Sequence, residues 1–188
     1  MANVDAPFGL RPTRHLAGGV IRANWYKGAA ADGYTTTIFF GDPVKWSSGR
    51  IVRAAAGDTI LGVFAGCQYE DPTTGAQNVV FRSFYDGNAA SVNVDFLVYD
   101  DPMLVFEIQC TTGQTPAITD RGSYADMITY AAGSTTTGNS IIELGALSGT
   151  VATFRMLDMV HRPANSFAEH VVVEVIVHEH AYNNPAAS

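Results

Sequence analysis

The sequence predicts an all-β fold, an antiparallel sandwich or barrel with an extended N-terminal arm and little helix. Three observations predict it. From Trp25 onward the chain is built of short runs rich in Thr, Val, Ile, Phe and Tyr; turn dipeptides punctuate those runs; and helical periodicity is too brief to organise a core. At 188 residues there is room for one domain with a sizeable interior. The expected division is an arm, residues 1–24, and a single β domain, residues 25–188.

The arm comes first. Pro7, Gly9, Pro12, Gly18 and Gly19 interrupt any periodicity, and proline has no N–H to give to a ladder or a helix. The first 30 residues carry Arg11, Arg14, Arg22 and Lys27 against Asp5 alone, a net of +3 within a formal charge of −7, so the remainder is −10. With this little apolar patterning the arm is expected to lie outside the core. It would order on docking to a partner, and removing residues 1–19 would leave a folded body.

Strands of about four to nine residues fit between the turns that follow. Runs 35–40 and 44–46 are separated by Gly41-Asp42-Pro43; run 50–53 follows Ser48-Gly49, and run 60–69 follows Gly57-Asp58. Asp71-Pro72 closes that long run, 79–84 leads to Asp86-Gly87, and 91–99 leads to Asp101-Pro102. Segment 104–111 alternates most cleanly. Leu104, Phe106, Ile108 and Cys110 fall on a core face, while Met103, Val105, Glu107, Gln109 and Thr111 share a partly wet one. Gly138-Asn139 precedes 140–144, and the runs 150–160 and 170–180 complete the domain. Short helical turns are expected at 124–132 and at a segment opened by Asn165 with Glu169. The many aromatics, Trp25, Trp46, Phe64, Phe81 and Phe96 among them, are expected chiefly in the core. A subunit interface is the second placement for Tyr and Trp.

Composition excludes several function classes. No apolar run approaches the roughly 20 residues that span a bilayer, so no membrane partner is expected. Residues 1–10 lack a basic segment followed by an apolar one, so the chain is expected to be made in the cytoplasm and used without export by a secretory route. A body at −10 repels phosphate backbones, and nucleic acid is not an expected partner. The arm's cations suit an acidic protein surface, which makes Pro7, Phe8, Arg11, Arg14 and Arg22 its candidate contact residues.

Catalytic motifs are missing. There is no Gly-x-Ser-x-Gly elbow, and Lys27 and Lys45, the two lysines, are not placed to complete a phosphate loop. Asp100 and Asp101 are adjacent on an extended chain and so point apart; they read as a turn before Pro102. Cys67 and Cys110 read as buried thiols, with their pairing left open. The sharpest metal candidate is His178 and His180 with Glu174, at the i, i+2 spacing that puts ligands on one strand face. Metalloenzyme jelly rolls of the cupin type continue that pattern with a later histidine, which this sequence lacks, so neither a cofactor nor a resident metal is expected and the protein is not expected to be an enzyme.

Residues Ala2-Asn3-Val4-Asp5-Ala6-Pro7-Phe8-Gly9-Leu10-Arg11-Pro12, then Gly41-Asp42-Pro43-Val44 and Arg53 through Phe64, resemble a group of small tailed-bacteriophage virion proteins. Val160-His161-Arg162-Pro163-Ala164-Asn165 and Glu174 through His180 extend the resemblance to most of the chain. It implies a capsid decoration, or cement, protein on the outer surface of a phage head, with the major capsid protein as partner. A closed homo-oligomer is implied too, a trimer first and a dimer second. The alternatives are a tail, head-fibre or host-binding module and, last, a small metal-dependent β-barrel enzyme.

Overall fold

The computed structural model describes residues 3–29, 33–71, 78–88, 90–128 and 133–183. Thirteen strands form in them: β1 (Arg11–His15), β2 (Asn24–Lys27), β3 (Pro43–Ser47), β4 (Arg50–Arg53), β5 (Gly62–Glu70), β6 (Val79–Arg82), β7 (Val92–Tyr99), β8 (Leu104–Gln109), β9 (Tyr124–Ala125), β10 (Met127–Ile128), β11 (Glu143–Leu144), β12 (Phe154–Met159) and β13 (Val172–Val177). They pair antiparallel into a five-stranded sheet, β1-β8-β13-β12-β9, and a six-stranded sheet, β2-β7-β5-β3-β4, in which β6 also pairs with β5. A short β10-β11 ribbon forms its own ladder and is bridged to the end of the β8 segment at Cys110 and Leu144. The architecture is the all-β sandwich expected from the sequence, with little helix.

Two apolar cores hold it. In the first, Leu104, Phe106, Ile108 and Cys110 of the β8 segment meet Val173, Val175 and Val177 of β13, with Phe154, Met156 and Leu144. In the second, Phe64, Cys67 and Tyr69 of β5 meet Val94, Phe96 and Val98 of β7, under Ile38 and Tyr85. Period-2 alternation explains the split: Val63 enters the first core and its neighbour Phe64 the second. The strands β5 and β7 approach closely at Gly62, where a Cβ would come within 2.2 Å of the Tyr99 carbonyl oxygen. The β3–β4 hairpin turns on Ser48 and Gly49, both at positive φ, the geometry of a type I′ turn.

Several elements differ from expectation. The arm is extended, but it is built into the body: β1 forms an edge strand on β8, and Leu10 is fully buried in the first core. An edge position tolerates Pro12, because its missing N–H would face away from the ladder. Run 35–40 makes isolated bridges, Ile38 to Tyr85 and Phe40 to Asn139, because the Asp42 carboxylate takes the Phe39 N–H at 2.9 Å and turns the chain. The expected helix at 124–132 is β9 and β10 over its described part, and residues 129–132 lie outside the described residues. Pro72 of the Asp71-Pro72 turn lies outside them as well. Nor does Asn165 open a helix: its amide bonds the Val160 and Val172 carbonyls and accepts the Val172 N–H, closing a loop.

The partly wet face of β8 is drier than predicted. Val105 and Gln109 are buried, and the Gln109 side chain accepts the Ala6 N–H at 2.9 Å and donates to the Val4 carbonyl at 2.7 Å. The N-terminal segment thus lies over the outer side of the five-stranded sheet, held at its centre by the buried Gln109 amide.

Candidate interaction surface

The arm residues proposed as contacts are all located, and they are not equivalent. Pro7 and Phe8 are half-buried, and the Arg11 guanidinium lies over the Phe8 ring, 4.3 Å from its centre. Arg14 on β1 reaches Glu174 two strands away, with Nη2 2.6 Å from Oε2, and this hydrogen bond raises its already high pKa. Its charge is therefore compensated within the fold. Arg22 is exposed and, like Arg11, forms no ion pair among the described residues.

Where the arm passes into β2, it meets an uncovered sheet face. The register pairs Trp25 with Leu97 and Leu97 with Gly66, while Phe81 on β6 pairs with Gln68 and Gln68 with Asp95. Successive pairs put Trp25, Leu97 and Phe81 on one side of the six-stranded sheet. Tyr99, two residues from Leu97, shares that side and packs against the first core. The sandwich thus covers this face at its Tyr99 end and leaves it open at its Leu97 end. There Trp25 is 49% and Phe81 69% exposed, around a shallow groove that Ala65, Leu97 and Arg82 also line. Val79 and Val92, paired with Glu70 from either side, continue the apolar stripe. Lys27 and Asp95 form a 2.7 Å ion pair on the same face, in the cross-strand row of Phe81, and Gln68 between them and Phe81 donates to Asp95.

Sequence reasoning placed these aromatics chiefly in the core. That holds for Phe64 and Phe96 but not for Trp25, Trp46 or Phe81. The missing information was the pairing of β6 with β5: alternation within Val79–Arg82 says which residues share a side, but not whether a second sheet covers it.

The weak metal set is not assembled. Glu174 is taken by Arg14, exposed His178 meets the Tyr124 ring edge-to-face with ring centres 4.8 Å apart, and His180 is buried beside Tyr182. Its i, i+2 logic required a continuing strand, whereas β13 stops at Val177 and the N–H groups of His178 and Glu179 both turn to the Thr153 carbonyl. Asp100 and Asp101 also diverge. Asp100 accepts bonds from Asn24 and Tyr26, and Asp101 faces His15 at 3.1 Å and caps the Met103 N–H. Burial, and then the bond to Asp100, push the Tyr26 phenol far above its ordinary pKa. Both cysteines are free, one in each core, and burial drives each thiol up to about 12. Among the described residues, one group of three metal-type donors does converge, at Asp5, Glu143 and His170.

Fold and surface together define an all-β sandwich that presents an uncovered aromatic face beside a basic segment. No protein-family model, curated protein or solved structure matches the chain.

Proposed function

We propose that this protein is a non-enzymatic capsid decoration protein, docking on the outer surface of a phage head and stabilising contacts between major capsid protein subunits. The observation that carries the proposal is the open face with Trp25, Leu97 and Phe81 at its centre. Exposed aromatic clusters of this kind suit protein interfaces, where Trp and Arg dominate the binding energy. Arg22, three residues before Trp25, and Arg11 are the arm's arginines left without an ion pair among the described residues, free to meet an acidic partner. The resemblance to tailed-phage virion proteins supplies the kind of particle, and the acidic body favours the outer wall over the inner one, which faces packed DNA. Copies of the chain arranged as a closed trimer, or next a dimer, would present several such faces at once and gain by multivalency.

The test is reconstitution on heads stripped of the protein. Purified protein is expected to rebind in many copies and to raise the temperature at which the heads rupture. Trp25→Ala with Phe81→Asp should lower affinity at least about 30-fold, as for an interface hot spot, with the fold intact. Stripped heads as stable as decorated ones would sink the stabilising role. Label confined to the tail would replace it with a tail or host-binding module.

A further inference from the structure

We infer that Asp5, Glu143 and His170 form a binding site for one divalent transition-metal ion of the Zn2+ or Mn2+ type, which pins the N-terminal segment to the β domain. The donor atoms of the three lie within 4.8 Å of one another. They come from three distant parts of the chain: the segment before β1, strand β11, and the loop that enters β13.

The cluster contains two polar atoms that the protein itself leaves unpartnered. Glu143 is 4% exposed; its Oε2 accepts the Thr111 hydroxyl at 3.0 Å, but its Oε1 is buried with no hydrogen-bond partner. His170 Nδ1 is likewise buried and unpartnered, with Asp5 Oδ1 3.8 Å away. Buried polar groups are almost always satisfied, and two left unpartnered on residues of one cluster are costly. One cation satisfies both atoms together.

The donor set selects the class of ion. Imidazole with carboxylate oxygens suits borderline Zn2+ first and Mn2+, a harder ion that accepts mixed nitrogen–oxygen sets, second, rather than Mg2+ or Ca2+, which prefer oxygen throughout. Ligands about 2.0–2.2 Å from such an ion lie roughly 3.0–3.6 Å apart, so the cluster must tighten by about 1 Å. Asp5 can supply this, since its side chain is 58% exposed and free to rotate. Water would complete the coordination on that open side.

Gln109 positions the site. Its buried amide holds Val4 and Ala6, the two neighbours of Asp5, and also donates to the His170 carbonyl at 3.1 Å. The backbones carrying two of the ligands are thus tied to one side chain.

The test uses the full chain, stripped with chelator and titrated with ZnCl2 or MnCl2 by calorimetry, native mass spectrometry and thermal melting. One ion per chain is expected, with a Tm rise of roughly 5–10 °C at a free metal concentration one hundred times Kd. Asp5→Asn and His170→Gln should each weaken binding at least about tenfold, while His178→Gln leaves it unchanged. Replacing buried Glu143 could unfold the chain, so exposed Asp5 carries the decision. Absence of stoichiometric binding, or binding without a Tm rise, would overturn the proposal. So would equal affinity in Asp5→Asn, which would assign the ion to surface histidines such as His161 and His178.

Discussion

Truncating Leu10 to alanine should destabilise the whole domain, although the residue lies in a stretch whose composition reads as a detachable arm. Leu10 is fully buried in the core that also holds Phe106, Ile108 and Val175, and its N–H donates to the Gly41 carbonyl at 3.0 Å. Removing its isobutyl group loses the transfer free energy of the lost carbons and leaves a cavity that close-packed neighbours fill only in part. Buried Leu→Ala changes cost about 2–5 kcal/mol, and about 3 kcal/mol is expected here. For a chain of this size each kcal/mol is worth roughly 2–4 °C, so the Tm should fall by about 6–12 °C. Thermal and urea unfolding of the purified protein measure this directly, with Val4→Ala, at an exposed site, as the control. A Tm within about 1 °C of the parent would refute the placement of Leu10 in the core.

Two further outcomes follow from buried groups. Burial lowers the His180 pKa below the ordinary imidazole value, against opposing pulls from Asp100 and Asp101. The unfolded chain then binds the proton more readily, so the stability from neutral His180 is complete above the unfolded pKa. It is lost as pH falls through that value toward the folded one. His180→Asn should flatten the fall in Tm between pH 7.5 and 5; an unchanged slope would remove His180 from the pH dependence. The two thiols, raised to about 12, should resist a thiol reagent at pH 8 in the native protein and react together in denaturant. Rapid labelling of either one without denaturant would contradict their burial.

Strand identity was legible wherever alternation and turn chemistry agreed. The 50–53 run is β4 to the residue, because Ser48-Gly49 fixes the hairpin and with it the register. In the 104–111 run the core face is Leu104, Phe106, Ile108 and Cys110, as the pattern requires. What sequence could not supply was coverage. Gln109 alternates as a wet residue and is dry because a segment more than 100 positions earlier lies across it. Phe81 alternates as a core residue and is exposed because no second sheet reaches its side. The same limit hid the cluster of Asp5, Glu143 and His170, whose members share no sequence spacing at all. Conversely, His178 and His180 have a ligand-like spacing that fails because the strand ends at Val177, before either histidine.

The embedded arm changes how docking would work. A segment that orders only on binding loses its conformational entropy at that moment, about 1–2 kcal/mol per residue fixed, and returns it as weakened affinity. Here that cost falls on folding, because Asn3 bonds the Ser166 and Glu169 carbonyls, Gln109 holds Val4 and Ala6, and β1 completes the first sheet. Arg14, spent on Glu174, adds little beyond this, since ion pairs with an exposed partner contribute at most about 1 kcal/mol. The arm therefore acts less as a clasp than as a brace. It carries the chain into β2, where Trp25 stands in register with Leu97 on a preformed sheet, so a docking partner would meet an aromatic face that needs no ordering. On that logic, changes at Trp25 and Phe81 should act on affinity with little effect on folding, and changes at Leu10 or Gln109 should act on folding first.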